Sequence, residues 1–485
     1  MKNKILYITL IGLIFSCNVL DQEPISDITP DNFYQNEGQV FAAVSGAYDI
    51  FQTNTFGRDF FASASASSDE STTAPSGGNN NRANAHQVNA DHGPARDLWR
   101  EGYQGILRVN DIIENVPSVN DQALDLDNLR EKYIAEAKFI RGFLFYRLSI
   151  WYGEIPIITK TTKSTDPDVI FVSRDPLPDV YAQVISDLEA AAEDLPETYS
   201  SELFTRGRAT KGTAQAVLAK VYLRRAYSDF SEPNDFQQAA DYAKLVMDSD
   251  VYELVPNAEY ASIWTVGQQL TSESIWELLT ETVEVNRGDD LYREFERQEN
   301  GARARARILP SPKLLDMLNE NPNDVRLTMI GDMDPDENFG FEKYTTKFNI
   351  NGGIDMPNQI YLRLADIILV RALALNELGQ TDDAIDLVND IRDRAGIPDV
   401  SAATKEEAFD LIMNERLMEL NFEGKRWYDL SMIPDNNYEF ARTEFEDTGD
   451  TRSQMDESEV YQLRWPINNR ELDLNTNLVQ NPGYL

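Results

Sequence analysis

The sequence predicts a mainly α-helical protein: a scaffold of about four stacked helical pairs, with a loop-rich, partly β insert forming the ligand side. Three observations predict it. Apolar residues recur at helical spacing through most of 97–248 and 360–395, small residues fall where paired helices would cross, and residues 253–359 lose that period. Composition sets the bounds. Over 485 residues, 42% hydrophobic and 10% aromatic content supports a sizeable core. With 82 acidic against 44 basic residues the formal charge is -38, which forbids a phosphate-tracking surface and excludes nucleic acid as a partner. One cysteine and two histidines exclude an internal disulfide and a zinc cluster, and no cofactor is expected.

The chain opens with a signal peptide over residues 1–16, in which Lys2 and Lys4 precede an apolar run, Ile5 to Phe15, too short to span a bilayer. Ser16 and Cys17 follow as in a bacterial lipoprotein processing box, although Phe15 fits it untidily. Lipidation of Cys17 would anchor the protein to a membrane without crossing it. Residues 17–32, punctuated by Pro24 and Pro30, read as the lipidated tether, and 33–485 as a single domain.

From Phe33 to Phe51 the apolar positions Val40, Phe41, Val44 and Tyr48 predict a docked helix, with Gly46 permitting close packing. Residues 62–95 read as a long polar loop rich in serine, glycine and asparagine, of a length that is usually functional in a compact protein. The helical pairs then cover about 97–151, 179–227, 214–248 and 360–395. Ala219 and Ala226 opposite Ala239 and Ala243, and the tight turn Leu378-Gly379-Gln380, make the scaffold tetratricopeptide-like. The insert, about 253–359, carries strand-like runs such as Ser274 to Leu279. A capping box, Thr404-x-x-Glu407, starts a helix running to about Arg426, and the irregular, acidic tail from Asn436 wraps the body within a C-terminal unit, 404–485.

Several motifs along this path agree with one family. They are the box at Cys17, then Trp99, Tyr103, Ile106 and Asn110, and the run Ala135-Glu136-Ala137-Lys138-Phe139-Ile140-Arg141-Gly142-Phe143 leading to Tyr152-Gly153 and Ile155-Pro156. Leu362-Arg363-Leu364-Ala365-Asp366 and Asn389-Asp390-Ile391-Arg392-Asp393-Arg394-Ala395-Gly396 come later. The most specific is Glu415-Arg416-Leu417-Met418-Glu419-Leu420 with Phe422-Glu423-Gly424-Lys425-Arg426-Trp427-Tyr428-Asp429-Leu430, and Gln480-Asn481-Pro482-Gly483-Tyr484 closes the chain. With these the sequence resembles the SusD/RagB family of outer-membrane glycan-binding lipoproteins. Asn468 and Thr476 depart from it where proline is common. The resemblance implies a cell-surface, lipid-anchored protein of the outer membrane that binds oligosaccharide or polysaccharide and delivers it to a TonB-dependent, SusC-like transporter without catalysis. It also implies glycan contacts from the loops and the middle insert.

The residues themselves leave two rivals: a tetratricopeptide-type scaffold for proteins, and a glycoside hydrolase. Glu415 and Glu419 sit one helical turn apart, too close for an inverting acid–base pair, and with Arg416 beside them they read as a structural ion-pair network. No nucleophile elbow, phosphate loop or dinucleotide fingerprint appears. Asp332, Asp334 and Asp336 begin like a calcium loop, but Glu337 and Lys343 break the EF-hand pattern, so no metal ligand set is assigned and only a looser calcium site stays open. Sugar recognition needs flat apolar faces and planar amide, carboxylate or guanidinium groups. The polar half falls on Asp69, Asn80, Asn81, Arg82, His86 and His92, and the aromatic half on Tyr292 and Phe295, or on Tyr344 and Phe348. Trp264, Trp276 and Trp427 read as core. Arg303, Arg305 and Arg307 alternate, so as a strand they would face one side, either as a solvated edge or as contacts for an anionic glycan.

Overall fold

The computed structural model describes residues 33–75, 77–162, 164–279, 291–295, 306–335, 340–348 and 357–484. Cys17 and the tether therefore lie outside the described residues. The chain enters through α1 (Glu37–Tyr48), capped by Asn36, which buries Val40 and Val44. Gly46 is not the close contact expected of it, since a Cβ there would meet nothing within 4 Å. A π-helical turn, Asn54–Asp59, runs into α2 (Phe60–Ala66), followed by β1 (Ser71–Thr73) and α3 (Asn79–Asn84).

This stretch corrects the reading of 62–95 as a polar loop. Ser63, Ser65, Ser67, Ser68, Asp69, Glu70, Ser71 and Thr73 are all buried. Alternating alanine and serine give α2 a thin cross-section that packs on every side, and Asp69 after it meets counter-charges, Arg426 and Lys313, brought in by distant segments. A period count on the segment alone cannot contain those partners.

The helical array follows as expected. Helices α4 (Gly93–Asn115) and α5 (Leu129–Tyr152) cross where Gly102 and Gly105 lie against Leu148 and Leu144; a Cβ at either glycine would come within 2.9 or 2.8 Å of a leucine methyl. Next, α5 packs on α6 (Leu177–Asp194), with Gly142 permitting the approach and Arg141 holding both oxygens of Asp187 at 2.8 and 2.7 Å. Helix α7 (Lys211–Ala226), with its Thr210 capping box, contacts α6 and then α8 (Asp235–Met247). The insert supplies β2 (Ser274–Leu278), β3 (Ile308–Pro310), α9 (Pro312–Asn319), β4 (Ile330–Asp332), β5 (Lys343–Thr345) and β6 (Gln359–Arg363). These pair antiparallel as β1 with β3, β2 with β6 and β4 with β5. The last pair, α10 (Leu364–Glu377) and α11 (Thr381–Ala395), docks on α8 and ends at Gly396 in the left-handed region.

Helix α12 (Lys405–Leu420) starts at the Thr404 cap as predicted but stops short of Arg426. Phe422 (φ 62°) and Gly424 (φ 66°) both have left-handed backbones, so the helix cannot continue, and the Phe422 N–H is held by a Glu70 carboxylate oxygen at 3.1 Å. A short α13 (Arg426–Leu430), α14 (Glu439–Glu446) and α15 (Asn469–Leu474) complete the chain. The tail wraps the body: the Trp465 N–H reaches the Trp151 carbonyl, and Asn481 donates to the carbonyls of Tyr152 and Trp465. Asn468, one of the two departures from the family pattern, caps α15 and donates to the Ala90 carbonyl.

Glu415 and Glu419 are 1% and 0% exposed and sit in an ion network, as expected. Five carboxylates (Glu273, Asp324, Glu415, Glu419, Glu423) interleave with five cations (Arg326, Lys347, Arg363, Arg392, Arg394), including Arg363 to Glu419 at 2.6 Å and Arg326 to Glu415 at 2.5 Å. Burial raises the Glu419 carboxyl, but Arg394 and Arg363 outweigh it and hold the group at about 2. Arg416 is not part of that network. One residue along a helix turns the side chain about 100°, and Arg416 pairs instead with Asp429 at 2.8 Å and Asp366 at 3.2 Å.

Candidate functional site

The pairing of β1 with β3 brings the N-terminal polar segment onto the insert. Ala74 donates its N–H to the Arg307 carbonyl at 2.9 Å, and Arg307 in turn donates to the Glu294 carbonyl at 2.7 Å. Just past β1 the chain reverses through Gly77-Gly78. A Cβ on Gly77 would lie 2.4 Å from the Asn81 side-chain oxygen, and Gly78 has φ 57° with ψ -114°, a conformation open to glycine. This turn and the Glu294–Arg307 bridge enclose a cavity of about 390 Å³.

Its polar lining is Arg58, Asp59, Ser63, Asn79, Asn80, Glu294 and Arg307. Glu294 is buried; it accepts from the Asn80 amide at 2.8 Å and pairs with Arg307 at 3.2 Å. Arg58 pairs with Asp59 at 2.7 Å on the π-helical turn. Planar amides, guanidinium groups and carboxylates in one concavity offer both donors and acceptors in fixed planes, the set that vicinal hydroxyls require.

A larger cavity of about 1300 Å³ lies among α12, α9 and the tail. Its aromatic walls are committed to one another edge to face, Phe409 with Phe440 at 5.4 Å and Tyr227 with Phe236 at 5.1 Å between centroids, so they present no paired flat faces.

Of the residues the sequence singled out, Arg307 and Asn80 alone among the described residues line the polar cavity. Asn81 sits one position beyond it, half-buried, donating to the Pro75 carbonyl at 3.1 Å and so bracing the turn. Arg82 is exposed on α3. Asp69 is corrected from ligand contact to core: it is fully buried with both oxygens on Arg426, and although burial raises its carboxyl, that guanidinium pulls it to about 2. His86 is likewise core, its Nε2–H on the Ser453 carbonyl at 2.9 Å and its ring on Phe445. Burial lowers both His86 and His92 to about 4.

Phe295 is corrected too, because the charged flanks that made it look exposed hide a buried ring packed on Phe348 and Phe422 at 4.8 and 5.6 Å. Tyr292 opens the same helical turn, and its side chain lies outside the described residues. The alternative aromatics Tyr344 and Phe348 are buried, as are Trp264, Trp276 and Trp427, which were expected in the core. Arg303, Arg305 and Asp336 lie outside the described residues, and Asp332 accepts from Lys343 at 2.5 Å.

Sequence reasoning missed Arg58, Asp59, Asn79 and Glu294. The Gly-Gly-Asn-Asn run marked the turn that holds Asn79, but Arg58 and Asp59 stand among phenylalanines with nothing local to distinguish them.

Two family descriptions match the chain: "Starch-binding associating with outer membrane", a SusD-like description, over residues 19–223, and the SusD family over 331–484. SusD-like protein P2 of Formosa agariphila is 27% identical over the full length of both chains. The crystal structure of a SusD homolog from Bacteroides thetaiotaomicron superposes with a TM-score of 0.80 at 20% identity, over 94% of this chain and 98% of that one. A laminarin-binding SusD-like protein superposes at 0.73 with 24% identity, over 93% of this chain and all of the other. At these identities the two superpositions establish the shared, mainly helical fold.

Proposed function

The chain belongs to the SusD-like family, and on that premise we propose that it is a cell-surface binding protein of the outer membrane. In this reading it captures an oligosaccharide or polysaccharide without cleaving it and passes it to a TonB-dependent, SusC-like transporter. The observation that carries the reading is the polar cavity: amides, carboxylates and guanidinium groups converge there from segments outside the helical pairs, whose own stripes are occupied in packing. The descriptions of the relatives support it, since one family is named as starch-binding and outer-membrane-associated and one solved neighbour as laminarin-binding. Among the described residues no helix is long and apolar enough to cross a membrane; in this reading lipid at Cys17 provides the attachment and a separate barrel the passage of sugar.

Affinity gel electrophoresis against a polysaccharide panel tests the reading. Retardation on at least one polymer, with no new reducing ends after long incubation, is expected. Sustained release of reducing sugar would favour a glycoside hydrolase, and absence of retardation with capture of soluble proteins would favour a protein scaffold.

A further inference from the structure

We propose that the pocket between the Gly77–Asn80 turn and the Glu294–Arg307 bridge selects electrically neutral sugar units and rejects uronate or sulfated ones; this deepens the glycan reading and rests on it. Alternating arginines in the insert read from sequence either as a solvated edge or as contacts for an anionic glycan. Arg307, the member of that set within the described residues, has its charge matched inside the pocket, 3.2 Å from Glu294. Glu294 is fixed in turn by the Asn80 amide at 2.8 Å, so it stands as a permanent wall of the site. The second guanidinium, Arg58, is matched by Asp59 at 2.7 Å.

The described polar lining thus carries two positive and two negative charges, already paired. An anionic group approaching either arginine meets the carboxylate that holds it and must compete for the same donors, whereas a hydroxyl can accept from the guanidinium or amide and donate to the carboxylate. The field of the whole chain acts in the same direction. At a formal charge of -38 it lowers the local concentration of a polyanion before any contact is made.

The test is isothermal titration of the full chain with neutral glucans and galactans, each beside the carboxymethylated form of the same polymer, at low and high salt. The neutral member of at least one pair should bind, its carboxymethylated partner at least about tenfold more weakly at low salt, and that ratio should narrow as salt screens the repulsion. Glu294→Gln, or Asp59→Asn if that variant fails to fold, removes one negative charge from the lining and should shift the preference toward the carboxymethylated polymer. Equal or tighter binding of the carboxymethylated polymer by the wild type would overturn the selection while leaving glycan binding standing. A ratio unmoved by salt would also overturn it, since bulk alone would then explain the rejection. No binding to any polymer would overturn the glycan reading and the selection together.

Discussion

Arg426 lays its guanidinium across both oxygens of Asp69, at 2.6 and 2.8 Å, although 357 residues separate the two along the chain. Lys313 of the insert lies 3.3 Å from the same carboxylate, so three distant parts of the sequence are joined at one buried charge.

Breaking a buried pair by removing one partner leaves an uncompensated charge. Asp69→Ala should therefore destabilise the fold by about 3–5 kcal/mol, read as a shift in the chemical denaturation midpoint. Arg426→Met together with Asp69→Leu should recover part of that loss. An Asp69→Ala protein of wild-type stability that no longer binds glycan would return Asp69 to the ligand surface.

The two histidines give a pH signature. Both are held at about 4 by burial against an ordinary value of 6.5, so between those values the unfolded chain takes up protons that the folded one refuses. Their contribution is complete above pH 6.5 and is lost as pH falls toward 4, by roughly 3 kcal/mol each. Glu70 runs the other way: burial lifts it to about 7, so its contribution is complete below 4.5 and is lost as pH rises through 7. Because the chain has only two histidines, their NMR ring resonances are assignable by single substitution. Midpoints near 6.5 would show the rings open to water.

Phe295 and Glu294 are neighbours with separable roles. Phe295→Ala empties the space between Phe348 and Phe422 and should cost about 3–5 kcal/mol of stability, while Glu294→Gln should act mainly on sugar affinity and selectivity. Unchanged melting of Phe295→Ala would place the ring at the surface.

Lipidation is tested by metabolic labelling with a fatty-acid probe, which should mark the wild type and lose its signal in Cys17→Ala. Gentle detergent extraction should bring down a large β-barrel with the wild type. Equal labelling of the two proteins would sink the anchor, and isolation only as free monomer under several mild conditions would count against the transporter.

The sequence by itself determined the helical array. Each stripe, cap and stop is local: Thr404 as a cap, Gly396 as a stop, and the family run around Arg141-Gly142, where the structure shows one residue bonding Asp187 and the next making room for α6. Packing in such pairs joins neighbours in the chain, so its periodicity is written where it acts.

What only the tertiary structure decided is which polar residues are inside. Asp69, His86 and Phe295 read as ligand contacts, and each is core because a partner arrives from far away: Arg426, the Ser453 carbonyl and Phe422. The cavity, conversely, took Arg58, Asp59 and Glu294 from unremarked positions because β1 pairs with β3. Burying a charge is unfavourable until its counter-charge is in place, and no local period records where along the chain that counter-charge lies.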